Sequence, residues 1–333
     1  MAKEKAKIAI IILNWNQIDL TLACLKSVFQ SRIDGQIEIE AIVVDNGSTD
    51  NSRKRLKEIQ EKRSLSRQGR GEIEILRSKF PNFKVIFNKE NLGFAGGNNV
   101  GILYALKNKA DFIFILNNDT EIKNDCLLNL WQTFKDEEKI GLVSPKIYYA
   151  PGFEFHKERY QEKDLGRVIW YAGGKIDWDN VLGRHLGVDE VDQGQYEKKE
   201  ENEFATGCAF MAKRAVFEKV GFFDERFCLY LEDLDFSYRV VKAGFKLVFN
   251  PQAVVWHKNA GSSSAGSALQ TYYFTRNRLL FTQKHAPLKL KLLVYRQALE
   301  KLRQGSKIEK EAVRDFFKRR FGFQEIDKIK GND

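Results

Sequence analysis

Two apolar runs of the chain end in residues that could hold a divalent metal ion. Asn117-Asn118-Asp119 directly follows one run, and His257 directly follows another at Ala253–Trp256. A carboxylate and an imidazole together suit Mn²⁺ or Mg²⁺, and such a cation would neutralise phosphate charge. Taken singly, an Asp at a strand end is more often a helix cap and a lone His is more often structural, so the residues alone leave both interpretations open.

The segment Leu231-Glu232-Asp233-Leu234-Asp235 places three carboxylates at the start of a predicted helix. Negative charge at this end of a helix is favourable in itself, which is a sufficient explanation for Glu232 or Asp235. Asp233 lies between the apolar groups of Leu231 and Phe236. Because apolar surroundings raise the pKa of a carboxyl group, Asp233 is the candidate general base, with Glu232 and Asp235 as possible auxiliary residues.

A third polar segment, Gly93-Phe94-Ala95-Gly96-Gly97-Asn98-Asn99, is rich in glycine. It resembles a phosphate-binding loop, although glycines that merely shape a tight turn would give the same pattern. The spacing does not fit GxGxxG, and the segment follows the third predicted strand rather than the first. Both observations disfavour a dinucleotide-binding fold.

Strand and helix signals alternate over the first 120 residues and would position these side chains. Strands are predicted at Ile8–Leu13, Ile37–Val44, Lys84–Phe87 and Asp111–Leu116, with helices at Asp19–Phe29, through Leu56 and Ile59, and at Val100–Leu106. This rhythm predicts an α/β fold, a Rossmann-like, mostly parallel sheet with helices on both faces. The polar turns at 14–16, 45–50 and 117–120 then fall at the carboxyl ends of strands, where such sheets bind ligands.

The remainder of the chain is less regular. Residues 64–71 are expected to form a surface loop, and residues 148–203 show no clear pattern. Helices are predicted at Arg214–Val220 and from Glu232 to Ala243, with a strand at Phe245–Phe249. A mainly helical region closes the chain.

Bulk composition places the chain among globular proteins. Its 333 residues are 43% hydrophobic and 30% charged, which argues against wholesale disorder. Four separated cysteines form no CxxC pair and suit a reducing, cytoplasmic environment. The apolar run after the basic first residues spans only Ile8–Leu13, so it predicts a first strand rather than a signal peptide, and no stretch is long enough for a spanning helix.

The net charge of +10 is concentrated at the carboxyl end, where residues 266–333 carry 16 Lys or Arg against 7 Asp or Glu. We therefore divide the chain into a catalytic domain, 1–265, and a basic, mainly helical appendage, 266–333. Excess basic charge indicates an anionic partner, either membrane phospholipid or nucleic acid. Nucleic-acid binding is permitted by Tyr272, Tyr273 and Phe274 beside Arg276, since aromatic rings can stack on bases. An anionic membrane surface is nevertheless the preferred partner. The alternative to any partner is that the charge only forms a solvated helical face.

Seven ordered motifs resemble the family-2 glycosyltransferases of GT-A fold, in particular the rhamnosyltransferase-like branch. They are IILNWN at 11–16, VVDNGSTD at 43–50, NLGFAGGNN at 91–99, LNNDT at 116–120, ATGCAFMAKR at 205–214, VGFFDERFCLYLED at 220–233 and AVVWH at 253–257. The resemblance covers about residues 8–265 and extends weakly to Arg276-Asn277-Arg278.

The resemblance implies a role for each matching position. Donor-binding residues would be Asn14, Asn16, Asp45, Asn91, Gly96 and Asn118, with Asp45 on a pyrimidine base. Asp119 and His257 would ligate Mn²⁺ or Mg²⁺, and Asp233 would be the catalytic base, with Arg276 a possible auxiliary residue. Asn117 stands where the family's DxD motif begins, so the metal site has one charged ligand fewer.

The function implied by the resemblance is inverting transfer of a sugar from a nucleotide-diphosphate donor to an acceptor hydroxyl, in cell-surface polysaccharide or glycolipid synthesis. The branch suggests rhamnose on dTDP, while glucose, galactose or mannose on UDP or GDP stay open. A saccharide or lipid-linked saccharide acceptor would place the protein in the cytoplasm or peripherally on the inner face of the plasma membrane, and no nucleic-acid partner is expected. The alternative, a catalytically silent nucleotide-sugar-binding protein, is disfavoured because Asp119, Asp233 and His257 are all retained.

Overall fold

The computed structural model describes residues 5–61, 82–259 and 267–324. The strands are β1 (Ala6–Asn14), β2 (Ile37–Asp45), β3 (Phe83–Phe87), β4 (Phe112–Asn117), β5 (Thr120–Ile122), β6 (Ile140–Tyr149), β7 (Ile169–Tyr171), β8 (Gly174–Asp177), β9 (Leu182–His185), β10 (Glu200–Asn202), β11 (Ala209–Lys213) and β12 (Lys246–His257). The α-helices are α1 (Ile18–Phe29), α2 (Ser52–Gln60), α3 (Gly93–Lys107), α4 (Cys126–Thr133), α5 (Arg214–Val220), α6 (Glu232–Lys242), α7 (Ala268–His285), α8 (Leu288–Gln304) and α9 (Lys307–Phe317).

The main sheet has the order β10-β12-β6-β11-β4-β1-β2-β3. Strands β1 to β4 run parallel, and β12 runs parallel to β6. Strand β11 lies antiparallel between β4 and β6. The predicted Rossmann-like, mostly parallel sheet is therefore confirmed, with β11 as its antiparallel insertion.

Alternate residues of β1 face two separate hydrophobic cores. Ile8, Ile10 and Ile12 pack with α1, α2 and α4 on one face, whereas Ala9 and Ile11 pack with α3, α5 and α6 on the other. A continuous apolar run is the pattern expected of a strand that is buried on both faces. The predicted helices on both faces are confirmed.

Helix α3 begins at Gly93, so most of the segment predicted as a glycine-rich turn is helical instead. The helix lies close to β1, because a Cβ atom at Gly101 would stand 2.6 Å from Cγ2 of Ile11 and one at Gly97 would overlap Leu13. The prediction of a glycine-rich turn was therefore wrong for these positions. Gly97 and Gly101 are needed because they let a helix pack closely on a strand.

Two other segments differ from the prediction, and a third lies outside the described residues. Residues 246–257 form one bulged strand, β12, rather than a strand that ends before Pro251. The irregular region 148–203 contains β7 to β10. The surface loop predicted at residues 64–71 lies outside the described residues.

The carboxyl-terminal region is helical, as predicted, but it shares a core with the rest of the chain. Leu279 and Phe281 of α7 pack with Leu231 and Leu234, while α8 and α9 add Val294 and Phe316 to the same cluster. The predicted boundary between residues 265 and 266 falls within 260–266, outside the described residues. None of the helices in the described part of the chain combines the length and the apolar character that crossing a membrane requires.

Substitution of Gly93 by Ala tests the contact that anchors the start of α3. Gly93 has φ +72°, and its Cβ would lie 2.8 Å from the backbone oxygen of Cys228. We expect Gly93→Ala to lower the free energy of unfolding by about 1–3 kcal/mol beyond the cost of a left-handed alanine, because the backbone cannot move aside easily. Gly244→Ala is the matched control, since Gly244 has φ +88° and open space around it. Equal losses in chemical denaturation would contradict the close contact.

Candidate active site at the carboxyl edge of the sheet

Asp119 and His257 lie side by side where β4 and β12 end. Short strand β5 continues from the Asp119 turn and pairs with β12, so that His257 lies opposite Thr120. Nε2 of His257 is 3.2 Å from Oδ1 of Asp119, and both side chains are almost fully buried. Burial disfavours the imidazolium form, but Asp119 and Cys208 outweigh burial and hold the pKa of His257 well above its usual range.

The pair offers one carboxylate and one imidazole to a metal ion. Among the described residues, no cluster of three or more His, Cys, Asp or Glu side chains is placed to hold a metal. Magnesium-type sites commonly use one or two carboxylates and take their remaining ligands from water and substrate phosphates. The residues therefore fit a cation that completes its coordination with a diphosphate.

Asp233 lies in the first turn of α6 and is only partly exposed. Its Oδ2 accepts a hydrogen bond from Gly207 N and its Oδ1 accepts one from Leu234 N, both at 2.8 Å. Burial raises the pKa of Asp233 to about 6, although these backbone donors oppose the rise. The Asp233 side chain is thus mainly ionised at neutral pH, and it takes up a proton as the pH falls through about 6.

The peptide segment at Gly207 and Cys208 connects Asp233 to the Asp119 turn. Gly207 N binds the Asp233 carboxylate, while Cys208 O accepts a 2.8 Å hydrogen bond from Asn117 N. The candidate base and the candidate metal pair are therefore joined by one peptide segment.

The two neighbouring carboxylates have different surroundings. Glu232 is buried, and its Oε2 has no hydrogen-bond partner within the part of the chain that the structure describes. Burial together with Asp233 holds its pKa well above the usual range. Asp235 is fully buried and pairs with Arg239, Lys284 and His285. These partners outweigh burial and lower the pKa of Asp235, so it is a structural anion that joins α6 to α7.

A chain of hydrogen bonds runs across the strand ends on the donor side. Nδ2 of Asn14 donates to Oδ1 of Asp45 at 2.9 Å, and Thr21 donates to Oδ1 of Asn14 at 2.7 Å. Asn118 in turn donates to Thr21 at 3.1 Å. Asp45 is fully buried, and its Oδ2 has no hydrogen-bond partner among the described residues, so a ligand N–H group could be accepted there. Thr21, which links the two predicted donor residues Asn14 and Asn118, was not anticipated from the sequence.

Asn16 and Asn91 organise loops around this chain. Asn16 has φ +54°, and its Oδ1 accepts hydrogen bonds from Thr49 N and Asp50 N. Oδ1 of Asn91 accepts from Gly93 N and from Asn46 Nδ2, both at 2.8 Å. Asn46, whose only sequence signal is its place in VVDNGSTD, also binds Gly93 O and the amide of Asn88, and it was missed.

Gly96 lies within α3 rather than in an open loop. A Cβ atom at this position would stand 2.9 Å from Cβ of Leu92 and 3.8 Å from the Glu225 carboxyl carbon. The absence of a side chain at Gly96 thus leaves room for the loop at Glu225 to approach the first turns of the helix. Among the described residues, the nearest neighbours of that position are thus Leu92 and Glu225 rather than the hydrogen-bonded residues around Asp45.

Arg276 and Asn277 of α7 hold the loop that precedes Asp233. Three non-glycine residues of this loop, Cys228, Tyr230 and Leu231, have φ between 65° and 67°. Nδ2 of Asn277 lies 2.8 Å from the carbonyl oxygens of Phe227, Leu229 and Tyr230, so its two N–H groups are shared among three acceptors.

The Arg276 guanidinium is fully buried and extends the same contact. Its Nη2 donates to the carbonyl oxygens of Arg226 and Phe227, and it lies 4.8 Å from the ring centroid of Tyr273. Arg276 therefore contacts the back of the loop and not the carboxylates. Tyr272 and Tyr273 are themselves buried, so neither ring is available for base stacking, while Phe274 is partly buried beside Tyr230.

Comparisons with known proteins agree with this arrangement. The model of glycosyl transferase family 2 matches residues 9–221. The low-salt glycan biosynthesis hexosyltransferase Agl10 of Haloferax volcanii is 26% identical over 57% of this chain and 57% of its own length. The chain thus spans little more than half of that relative. The N-acetylglucosaminyl-diphospho-decaprenol L-rhamnosyltransferase of Mycobacterium tuberculosis is 25% identical over 72% of this chain and 75% of its own.

Solved structures show the same fold at low sequence identity. The mannosyltransferase PcManGT of Pyrobaculum calidifontis, in complex with GDP-Man and Mn²⁺, superposes with a TM-score of 0.52 at 14% identity, over 96% of this chain and 77% of its own. The sheet order, the carboxylates at its carboxyl edge and the match of the family model over most of the chain lead to one conclusion. The chain belongs to glycosyl transferase family 2 and has the GT-A fold.

Proposed function

We propose that the protein transfers a sugar from a nucleotide-diphosphate donor to an acceptor hydroxyl with inversion at the anomeric carbon. One observation carries this proposal: Asp233, a partly exposed carboxylate whose pKa is raised to about 6, is joined through Gly207 and Cys208 to the Asp119–His257 pair. A base and an anion-neutralising site at one edge of the sheet are the two requirements of direct displacement at a glycosyl diphosphate.

The nucleotide is proposed to bind at Asp45. The unpartnered Oδ2 of this buried carboxylate is suited to accept the ring N–H of a pyrimidine, while its Oδ1 is held by Asn14. Leaving that oxygen without a donor is costly, so a matching N–H group would be favoured strongly. Rhamnose carried on dTDP is the first donor to test, since the Mycobacterium tuberculosis relative is named as an L-rhamnosyltransferase.

Asp119 and His257 are proposed to hold Mn²⁺ or Mg²⁺. When bound, the cation would neutralise charge on the diphosphate leaving group. The Pyrobaculum calidifontis mannosyltransferase is in complex with GDP-Man and Mn²⁺, which supports a divalent cation for this fold.

Asp233 is proposed to take the proton from the acceptor hydroxyl as that oxygen attacks the anomeric carbon. The new carbon–oxygen bond forms on the face opposite the diphosphate, which departs with the electrons of the broken bond. Burial and the neighbouring Asp233 raise the pKa of Glu232 well above its usual range, and its side chain is buried, so Asp233, which is partly exposed, is the carboxylate better placed to meet the acceptor. The acceptor is proposed to be a saccharide or a lipid-linked saccharide of cell-surface polysaccharide or glycolipid synthesis.

A protein that binds nucleotide sugar without turnover is the alternative. Such a protein would not need a carboxyl group held near pKa 6 beside the sugar site, because a desolvated carboxylate costs stability at neutral pH. The environment of Asp233 therefore favours catalysis.

Removal of Asp119 tests the metal site. With dTDP present, Mn²⁺ should raise the melting temperature of the wild-type protein, since a ligand of the folded state stabilises it by mass action. Asp119→Ala should lose most of that shift. Glu121→Gln, which removes a carboxylate two residues away on β5, should keep it. An unchanged Mn²⁺ titration in Asp119→Ala would exclude Asp119 as a ligand.

Asp233→Asn and the pH profile test the base. The amide preserves shape but cannot accept the proton, so turnover should fall by roughly 10²–10⁴ while donor binding stays. In the wild type, kcat/KM should decline as pH falls through about 6, because protonation of Asp233 removes the active carboxylate. Transfer by Asp233→Asn at near wild-type rate would assign the base to another carboxylate.

Asn277→Leu tests the support of the catalytic loop. Losing hydrogen bonds to three carbonyl oxygens should lower the melting temperature and kcat, with a smaller change in the KM for donor, because the loop positions Asp233 and not the nucleotide. Asn180→Leu, at an exposed turn, is the control for the same replacement. Wild-type kcat in folded Asn277→Leu would show that the loop keeps its conformation without this residue.

A further inference from the structure

Helix α8 presents apolar side chains to solvent on the side turned away from the protein. Leu288, Leu292 and Leu299 are 73%, 63% and 53% exposed. At about 100° per residue these three positions fall within an arc of roughly 40° on the helix surface. Val294 and Ala298, which lie roughly 100–140° around the helix from the centre of this strip, are buried in the core that α8 shares with α7 and α9. The exposed leucines are therefore not needed to attach the helix.

Basic residues border this strip of leucines. Lys289, Arg296 and Arg303 are exposed and lie within roughly the next 60° of the helix surface. Arg296 lies 3.3 Å from Glu300, a surface pair that contributes little to stability. The side of α8 that faces solvent is thus apolar at one margin and cationic at the other.

The end of α9 continues the same surface. The ring of Tyr295, which lies beside the leucine strip on α8, is 6.4 Å from the ring of Phe317. Phe317 is 51% exposed, and the next three residues, Lys318, Arg319 and Arg320, are all exposed. We refer to Leu288, Lys289, Leu292, Arg296, Leu299, Arg303, Phe317, Lys318, Arg319 and Arg320 as the basic-apolar face.

We propose that the basic-apolar face docks the protein on an anionic phospholipid bilayer. Clustered exposed apolar side chains mark interaction sites, and a merely solvated basic face would not contain them. Leucine and phenylalanine at the boundary of the acyl chains, with Lys and Arg at the level of the headgroups, are the combination that peripheral attachment requires. The face has six basic residues, of which Arg296 is paired with Glu300 and Arg320 with Asp315, so the excess of basic charge makes it complementary to anionic lipid.

Docking of this kind goes beyond the transfer reaction and does not depend on it. It would hold the active site near an acceptor embedded in the same bilayer, whatever sugar is transferred. A second copy of the chain is the competing occupant of the face, and it requires no anionic lipid.

Vesicle co-sedimentation of the full chain tests the proposal. The protein should pellet with vesicles containing phosphatidylglycerol, much less with pure phosphatidylcholine, and progressively less as salt rises. Lys318→Gln/Arg319→Gln/Arg320→Gln and Leu288→Ser/Leu292→Ser/Leu299→Ser should each weaken partitioning by roughly tenfold or more. Matched controls, Lys107→Gln/Lys109→Gln/Lys139→Gln and Leu103→Ser/Val188→Ser, alter exposed residues elsewhere and should bind like the wild type.

Two results would overturn the proposal. Equal recovery from anionic and neutral vesicles would show that charge complementarity plays no part. Loss of a dimer in the leucine variant by light scattering, with no vesicle binding by the wild type, would assign the face to self-association. Donor binding, followed by melting temperature, should be the same in all these variants, so that a failure of the docking proposal is separable from a failure of the proposed transferase function.

Discussion

The position of the candidate base depends on one contact between distant parts of the chain, the hydrogen bonds from Arg276 and Asn277 to the carbonyl oxygens of the loop before α6. Left-handed backbone at a non-glycine residue costs roughly 1–2 kcal/mol, and Cys228, Tyr230 and Leu231 all adopt it. Such a loop persists only if its surroundings hold it. The buried amide and guanidinium do so by donating hydrogen bonds to the carbonyl oxygens of the loop. Under the proposed function, the first helix of the carboxyl-terminal region is therefore part of the machinery that places Asp233.

The first turn of α6 contains three carboxyl groups, those of Glu232, Asp233 and Asp235, and their different surroundings give them different ionisation properties. Asp235 is neutralised by Lys284, His285 and Arg239, so its charge stabilises the packing of α6 on α7. Glu232 has no such partners among the described residues, and burial together with Asp233 raises its pKa because an isolated buried charge is costly. Asp233, between these extremes, has two backbone donors and some access to solvent. Only this third environment suits a group that must gain and release a proton near neutral pH.

The fold and the edge of the sheet that carries the site were predictable because both depend on local pattern. Continuous apolar runs identified β1, β2 and β4, and the rule that ligands bind at the carboxyl ends of parallel strands brought Asn14, Asp45 and Asp119 together. Patterns of this kind could not reveal Thr21 or Asn46, whose importance comes only from the partners that folding gives them. The same holds for Arg276, which was predicted only as a possible auxiliary residue and which lies behind the loop. Tertiary packing also decides whether a glycine forms a turn or lets a helix pack closely on a strand. For this reason the residues at the start of α3 were predicted as a turn although they are helical.

Asn117 in place of an acidic residue has a thermodynamic consequence for the proposed metal site. Asp119 and His257 would supply two protein ligands to the cation. A hard divalent cation prefers about six oxygen-type ligands, so most of its coordination would come from water or from the donor diphosphate. The cation and the diphosphate would then increase each other's affinity by the same factor, because coupling between two ligands is reciprocal. A weak site of this kind favours loading of metal and donor together, and it lets both leave together once the sugar has been transferred.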